Sequence, residues 1–154
     1  MALDNLADYF PDWKEREALA EAMIPLIGSL YRKNVVTYCY GRALYNQSVT
    51  QIMKTHRYVR QVAKNELSEF ESHPILEEMA KLNLGPSHID VGKLATKFME
   101  ESATQQVNVA DFVRRECQAV IDSDARPLSE PQDVVLYGFG RIGRLLARLL
   151  IEKT

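Results

Sequence analysis

The sequence predicts a mainly α fold: a helical N-terminal domain followed by the opening strand–turn–helix of a second, α/β domain. Three observations carry this. Residues 1–121 repeat apolar positions at helical spacing behind capping residues. The stretch Asp122-Ser-Asp-Ala-Arg-Pro-Leu-Ser-Glu-Pro-Gln132 has the polar, two-proline composition of a linker. Residues 133–154 read as one strand, a glycine turn and one helix. The expected organisation is a helical extension (1–121), a linker (122–132) and the incomplete start of an α/β domain (133–154).

Taken in order, Asp12-Trp-Lys-Glu15 forms a capping-box pattern, and Leu19, Met23, Leu26, Ile27 and Leu30 follow at helical spacing. Pro25 removes a donor inside this helix and is expected to kink it. Trp13 is expected to pack onto the core. Val35-Val-Thr-Tyr-Cys-Tyr40 has the β-branched and aromatic content of a strand, yet lies between helices with no evident partner. Residues 35–47 are therefore expected to be irregular or helical.

Ser48-Val-Thr-Gln51 is a second capping box. It opens a helix to about Asn65 that turns Ile52, Met53, His56, Val59 and Ala63 inward and Lys54, Arg57, Arg60 and Lys64 outward. Pro74 suits the first position of another helix, bearing Ile75, Leu76, Met79 and Leu82 and ending at Gly85-Pro86. Asp90 is a candidate cap for a helix with Val91, Leu94, Ala95, Phe98 and Met99. Asn108 serves one with Phe112, Val113, Cys117, Val120 and Ile121.

The C-terminal string carries the recognisable chemistry. Val134 to Tyr137 is a short apolar run of the kind that makes a buried parallel strand. Gly138, Gly140 and Gly143 follow at dinucleotide spacing, and Ile142, Leu145, Leu146, Leu149 and Leu150 then share one helical face. Gly138 permits the tight turn, Gly140 lets backbone approach a pyrophosphate, and Gly143 lets helix and strand pack closely. Arg141 and Arg144 place cations in the first helical turn, where the macrodipole disfavours them and a nearby phosphate would favour them. The context is that of the first unit of a Rossmann-type dinucleotide-binding domain. The candidate cofactor-binding residues are Gly138, Phe139, Gly140, Arg141, Ile142 and Gly143.

Tyr137-Gly-Phe-Gly-Arg-Ile-Gly-Arg144 closely resembles the cofactor fingerprint of glyceraldehyde-3-phosphate dehydrogenase, with Tyr137 where that family commonly has Asn. The preceding helical region resembles the extension of a long bacterial form of that enzyme. The resemblance implies a parent that oxidises glyceraldehyde 3-phosphate with NAD or NADP and inorganic phosphate, through a thioester on a cysteine. It also implies a homo-oligomer. Erythrose-4-phosphate dehydrogenase is the sister enzyme reading, and a stand-alone helical interaction or oligomerisation module is the non-enzyme reading. The acidic residue that would bind the NAD ribose is expected about 20 residues beyond the glycines. The chain therefore reads as an N-terminal fragment, inactive alone, whose sequence does not separate NAD from NADP.

Composition bounds the alternatives. At 154 residues, 46% hydrophobic and 26% charged, the chain has the make-up of an ordinary globular protein. A formal charge of −2 gives no footprint for nucleic acid or a membrane surface. Two distant cysteines, Cys39 and Cys117, form neither a disulfide framework nor a zinc spacing, and a cytoplasmic setting is expected. Neither sits in the Ser-Cys-Thr-Thr-Asn context of the resembled enzyme's nucleophile, so no catalytic residue is assigned. His56 reads as a hydrogen-bonded core histidine; His73 and His88 lack metal-ligand neighbours. Glu69, Glu71, Glu77 and Glu78 read as surface. The row Lys54, Arg57, Arg60 and Lys64 reads as a solvated face, its best alternative partner being an acidic surface on its own parent protein or oligomer.

Overall fold

The computed structural model describes the backbone of residues 6–123 and 133–153, with side chains for residues 12–123 and 133–152. Helix α1 (Leu6–Arg32) runs without interruption through Pro25 and starts upstream of Asp12. Asp12 is therefore not a cap; it lies 3.7 Å from Arg16, one turn on. Trp13 is 53% exposed rather than packed on the core. The buried stripe of α1 is Ala20, Met23, Ile27 and Leu30, the 3–4 spacing of a single helical face.

The stretch expected to be irregular or helical is a β-hairpin. Strand β1 (Val35–Cys39) alternates buried and half-buried side chains and pairs antiparallel with β2 (Arg42–Ala43). The two-residue loop between them, Tyr40-Gly41, has positive φ at both positions (49° and 77°), as a type I′ hairpin turn requires. The missing partner comes from far along the chain: β3 (Ser87–Asp90) pairs parallel with β1, Val35 opposite Ser87 and Tyr38 opposite Asp90. The sheet order is β2-β1-β3. Strand propensity thus prevails where a distant segment supplies the ladder.

Helix α2 (Val49–Ala63) begins with the expected capping box between Ser48 and Gln51 and ends at Lys64 in the left-handed conformation. Ile52, Met53, His56 and Val59 are buried; Ala63, expected inward, is exposed. Helix α3 (Glu69–Lys81) starts a turn and a half before Pro74, behind a capping box formed by Ser68 and Glu71. Pro74 lies inside this helix, where it withholds a donor from the carbonyl four residues earlier. Helix α4 (Val91–Ser102) is capped by Asp90 and α5 (Val109–Glu116) by Asn108, both as expected. Helix α5 stops before Val120 and Ile121, which instead seal the unit's edge: Gly85 N–H bonds the Val120 carbonyl at 2.8 Å and Leu84 bridges to Ile121.

One core joins these elements. Helix α1 packs along α3 and α2, and α3 in turn supports α4 and α5. Val35, Ile52, Leu67, Ile75, Leu76, Met79 and Phe112 are among its fully buried members. No helix among the described residues is long and apolar enough to cross a membrane. Residues 124–132 of the expected linker lie outside the described residues. Beyond them, helix α6 (Arg141–Lys153) forms as expected, but Val134–Tyr137 is not a strand: it pairs with no other described segment. A parallel strand exists only where neighbouring strands complete its hydrogen bonds.

Candidate functional site: a glycine turn at a helix start

The sequence-predicted cofactor residues fold into one turn. Gly138 has φ of +99°, a conformation side chains disfavour, and so allows the sharp reversal. A side chain on Gly143 would collide with the Gly138 carbonyl, so the first turn of α6 sits directly against the reversal. Gly140 differs from both. A Cβ there would meet nothing within 4 Å, so neither backbone strain nor packing demands its glycine. The Gly140 carbonyl accepts the first helical hydrogen bond, from Arg144 N–H at 3.0 Å. The N–H groups of Arg141, Ile142 and Gly143 are then the helix's unpaired donors by geometry.

A cleft of about 600 Å³ lies over this turn, lined by Val135 to Gly138, Gly140 to Gly143, and Leu146. Five of the six candidate residues line it; Phe139 does not and is 66% exposed. Arg141 and Arg144 are both exposed. The arrangement offers open space at Gly140, helix-start donors and two cations, which together suit a phosphorylated ligand.

The helical unit holds a buried polar cluster that the sequence did not reveal. Glu69, expected on the surface, is fully buried at the start of α3. Arg16 Nε donates to its Oε2 at 2.8 Å, whereas Oε1 has no hydrogen-bond partner and lies 3.5 Å from His56 Nδ1. His56 is also fully buried: Nδ1 bonds the Ile52 carbonyl and Nε2 the Ser72 hydroxyl, each at 2.9 Å. A carbonyl can only accept, which puts the proton on Nδ1 and leaves Nε2 to accept from Ser72. Burial lowers the His56 pKa and outweighs the opposing pull of Glu69. This is a neutral, satisfied core histidine. The missed signal was Ser68-Glu-Phe-Glu71, a capping box that places the intervening Glu69 at a helix's first position.

The cysteines are inert by environment. Cys39 is fully buried, and burial, reinforced by Asp90 and Glu69, raises its thiol to about 12. Burial likewise raises Cys117. A thiol held protonated is a poor nucleophile. Among the described residues no cluster of three potential metal ligands forms. The basic row on α2 is interrupted, because Arg60 is half-buried and donates to the Leu67 carbonyl at 3.2 Å.

No protein-family model matches the chain. Over 135 residues it is 51% identical to a curated relative, "Glyceraldehyde-3-phosphate dehydrogenase-like protein" of Pseudomonas aeruginosa (strain UCBPP-PA14). The match covers 86% of this chain and 29% of the relative. Most of this chain is thus similar to less than a third of a protein named for its likeness to a dehydrogenase.

Proposed function

We propose that residues 133–154 open the NAD(P)-binding domain of a glyceraldehyde-3-phosphate dehydrogenase, and that residues 1–121 are a non-catalytic extension of that enzyme. The observation that carries this reading is the turn at Gly138, Gly140 and Gly143, within a string that resembles the dehydrogenase fingerprint. The relative's name supports the same parent. Ile142, Leu145, Leu146 and Leu149 on α6 are 44–74% exposed, an apolar face of the kind that the remainder of a parallel sheet covers.

In the parent, Gly138 to Gly143 would hold the cofactor's pyrophosphate against the start of α6. The cofactor supplies hydride acceptance; this chain supplies binding and orientation, and neither of its cysteines serves as nucleophile. Glyceraldehyde 3-phosphate and inorganic phosphate are the substrates this reading assigns, in a cytoplasmic homo-oligomer. Erythrose 4-phosphate is the alternative substrate. The extension serves assembly or regulation: among its described residues the buried His56–Glu69 pair is enclosed in the core, away from any cleft, and burial holds both thiols protonated.

Gly140→Val in the full-length protein tests the reading. In this chain Gly140 has neither a left-handed φ nor a neighbour within 4 Å, and a melting curve of the variant separates lost binding from lost folding. Cofactor affinity should fall by about tenfold for every 1.4 kcal/mol of charge-assisted hydrogen bonding lost, tens- to thousands-fold in all. Calorimetric titration with NAD and with NADP reads this directly. Unchanged affinity for both would remove the cofactor role of the turn.

A further inference from the structure

A second cleft, of about 410 Å³, lies between β2 and α2, far in sequence from the glycine turn. It is lined by Arg42, Ala43, Gln47, Gln51, Lys54 and Thr55, without a single carboxylate. Thr55, 7% exposed, is the most buried of these. Among the described residues neither Arg42 nor Lys54 forms a salt bridge, in contrast to Arg16, Lys81, Lys97 and Arg115. The Arg42 guanidinium is held in place by a ring: its central carbon stands 3.5 Å from the centroid of Tyr58. Stacking occupies the face of a guanidinium and leaves its N–H edge available for an oxyanion. The first turn of α2 carries no acidic residue to offset this charge. Gln47 adds a side-chain amide, and Gln51, whose Oε1 accepts from Ser48 N–H at 2.8 Å, keeps its NH2 for a hydroxyl group.

The geometry points to a binding site for a phosphorylated, hydroxyl-bearing small molecule, its phosphoryl group on Arg42 and Lys54 and its hydroxyls toward Gln47 and Gln51. The volume lies within the range of small-molecule sites. The site is independent of the cofactor reading, because it is built entirely within the helical unit.

The test titrates the whole chain with glucose 6-phosphate, inorganic phosphate and glucose, followed by amide NMR shifts and calorimetry. Expected are saturable shifts at Arg42, Ala43, Gln47, Gln51 and Lys54 with the sugar phosphate, weaker shifts at the same residues with phosphate, and none with glucose. Arg42→Ala and Lys54→Ala should each weaken binding by about tenfold or more, equivalent to about 1.4 kcal/mol. Tyr58→Leu, which keeps every charge, should weaken it several-fold by releasing the guanidinium. The spectrum of each variant shows whether it remains folded. Shifts spread equally over Arg57, Lys64 and Lys93 would mean diffuse charge attraction and overturn the proposal. So would an absence of saturation, or affinity unchanged in both Arg42→Ala and Lys54→Ala.

Discussion

Gly92 shows how little room single residues have. A Cβ there would stand 2.6 Å from Cys39 Sγ and 3.1 Å from a Tyr40 ring carbon, so the start of α4 is seated on the hairpin. Gly92→Ala should cost about 1–3 kcal/mol through overpacking, and less in a Cys39→Ala background, where the nearest atom is gone. Denaturant melts of the two single variants and the double variant give the coupling. His56 sets a pH dependence whose sign follows from its lowered pKa. Above 6.5, its ordinary value, folded and unfolded chains both hold a neutral ring, and it adds no slope. Below 6.5 the unfolded chain takes up the proton first. Stability should then fall by at most about 1.4 kcal/mol per pH unit until the folded-state pKa is passed. Glu69, Arg16 and Arg60 face the same ring and shift where that decline ends, not its direction. Thermal melts between pH 5 and 8 should show the decline in the native protein and a flatter profile in His56→Gln. Identical profiles would contradict this. The histidine's burial was legible from its apolar helix face. The depth of Glu69 was not, because only a tertiary partner such as Arg16 makes a buried carboxylate tolerable.

Elements were legible where their signals are local. The capping box at Ser48 and the caps at Asp90 and Asn108 name their helices, since each is a short-range contest for backbone N–H groups. The sheet was not, because β1 finds its partner β3 only after two helices have intervened. Nor was the start of α3, because Pro74 fits a first helical position as well as the interior position it takes behind the Ser68 cap. Asp90 is the joint between the two kinds of element. Its Oδ1 accepts from Tyr40 N–H at 2.9 Å and Lys93 N–H at 3.0 Å, and its Oδ2 accepts from Gly41 N–H at 2.9 Å. One carboxylate thus caps α4 and holds both residues of the hairpin loop. Asp90→Ala should lose more than the ~1 kcal/mol of an ordinary cap, about 2–3 kcal/mol in all. Asp90→Asn, which keeps an acceptor oxygen, should lose less. Equilibrium unfolding that ranked the two variants equally would show that the hairpin contacts contribute nothing.

At the scale of the whole molecule, the described elements up to residue 123 share one core and should fold without the rest. Asp122 also bonds to this core's edge. Asn83 O accepts from Asp122 N–H at 2.9 Å, and the Asn83 side chain donates to Asp122 Oδ1 at 2.9 Å, so a cut at 121 removes these two bonds while leaving those of Val120 and Ile121. A 1–123 segment should show a strongly helical circular dichroism spectrum and one cooperative melt, with 1–121 melting lower. A non-cooperative transition in 1–123 would contradict an independent unit. At the candidate site, the glycine spacing and the helix were legible, because backbone conformation dictates both. The strand before them was not, since a parallel strand is a property of its neighbours.

The parallel pairing of β1 with β3 also bears on how quickly the fold is reached. Tyr40 and Asp90, 50 residues apart, must meet before the sheet exists. Closing a loop of that length costs entropy that no local contact returns. Helices α2 and α3 can gain structure earlier, each from its own capping box. The small sheet, a minor part of the architecture by size, is therefore the step that separates this chain's folding time from that of a simple helical bundle.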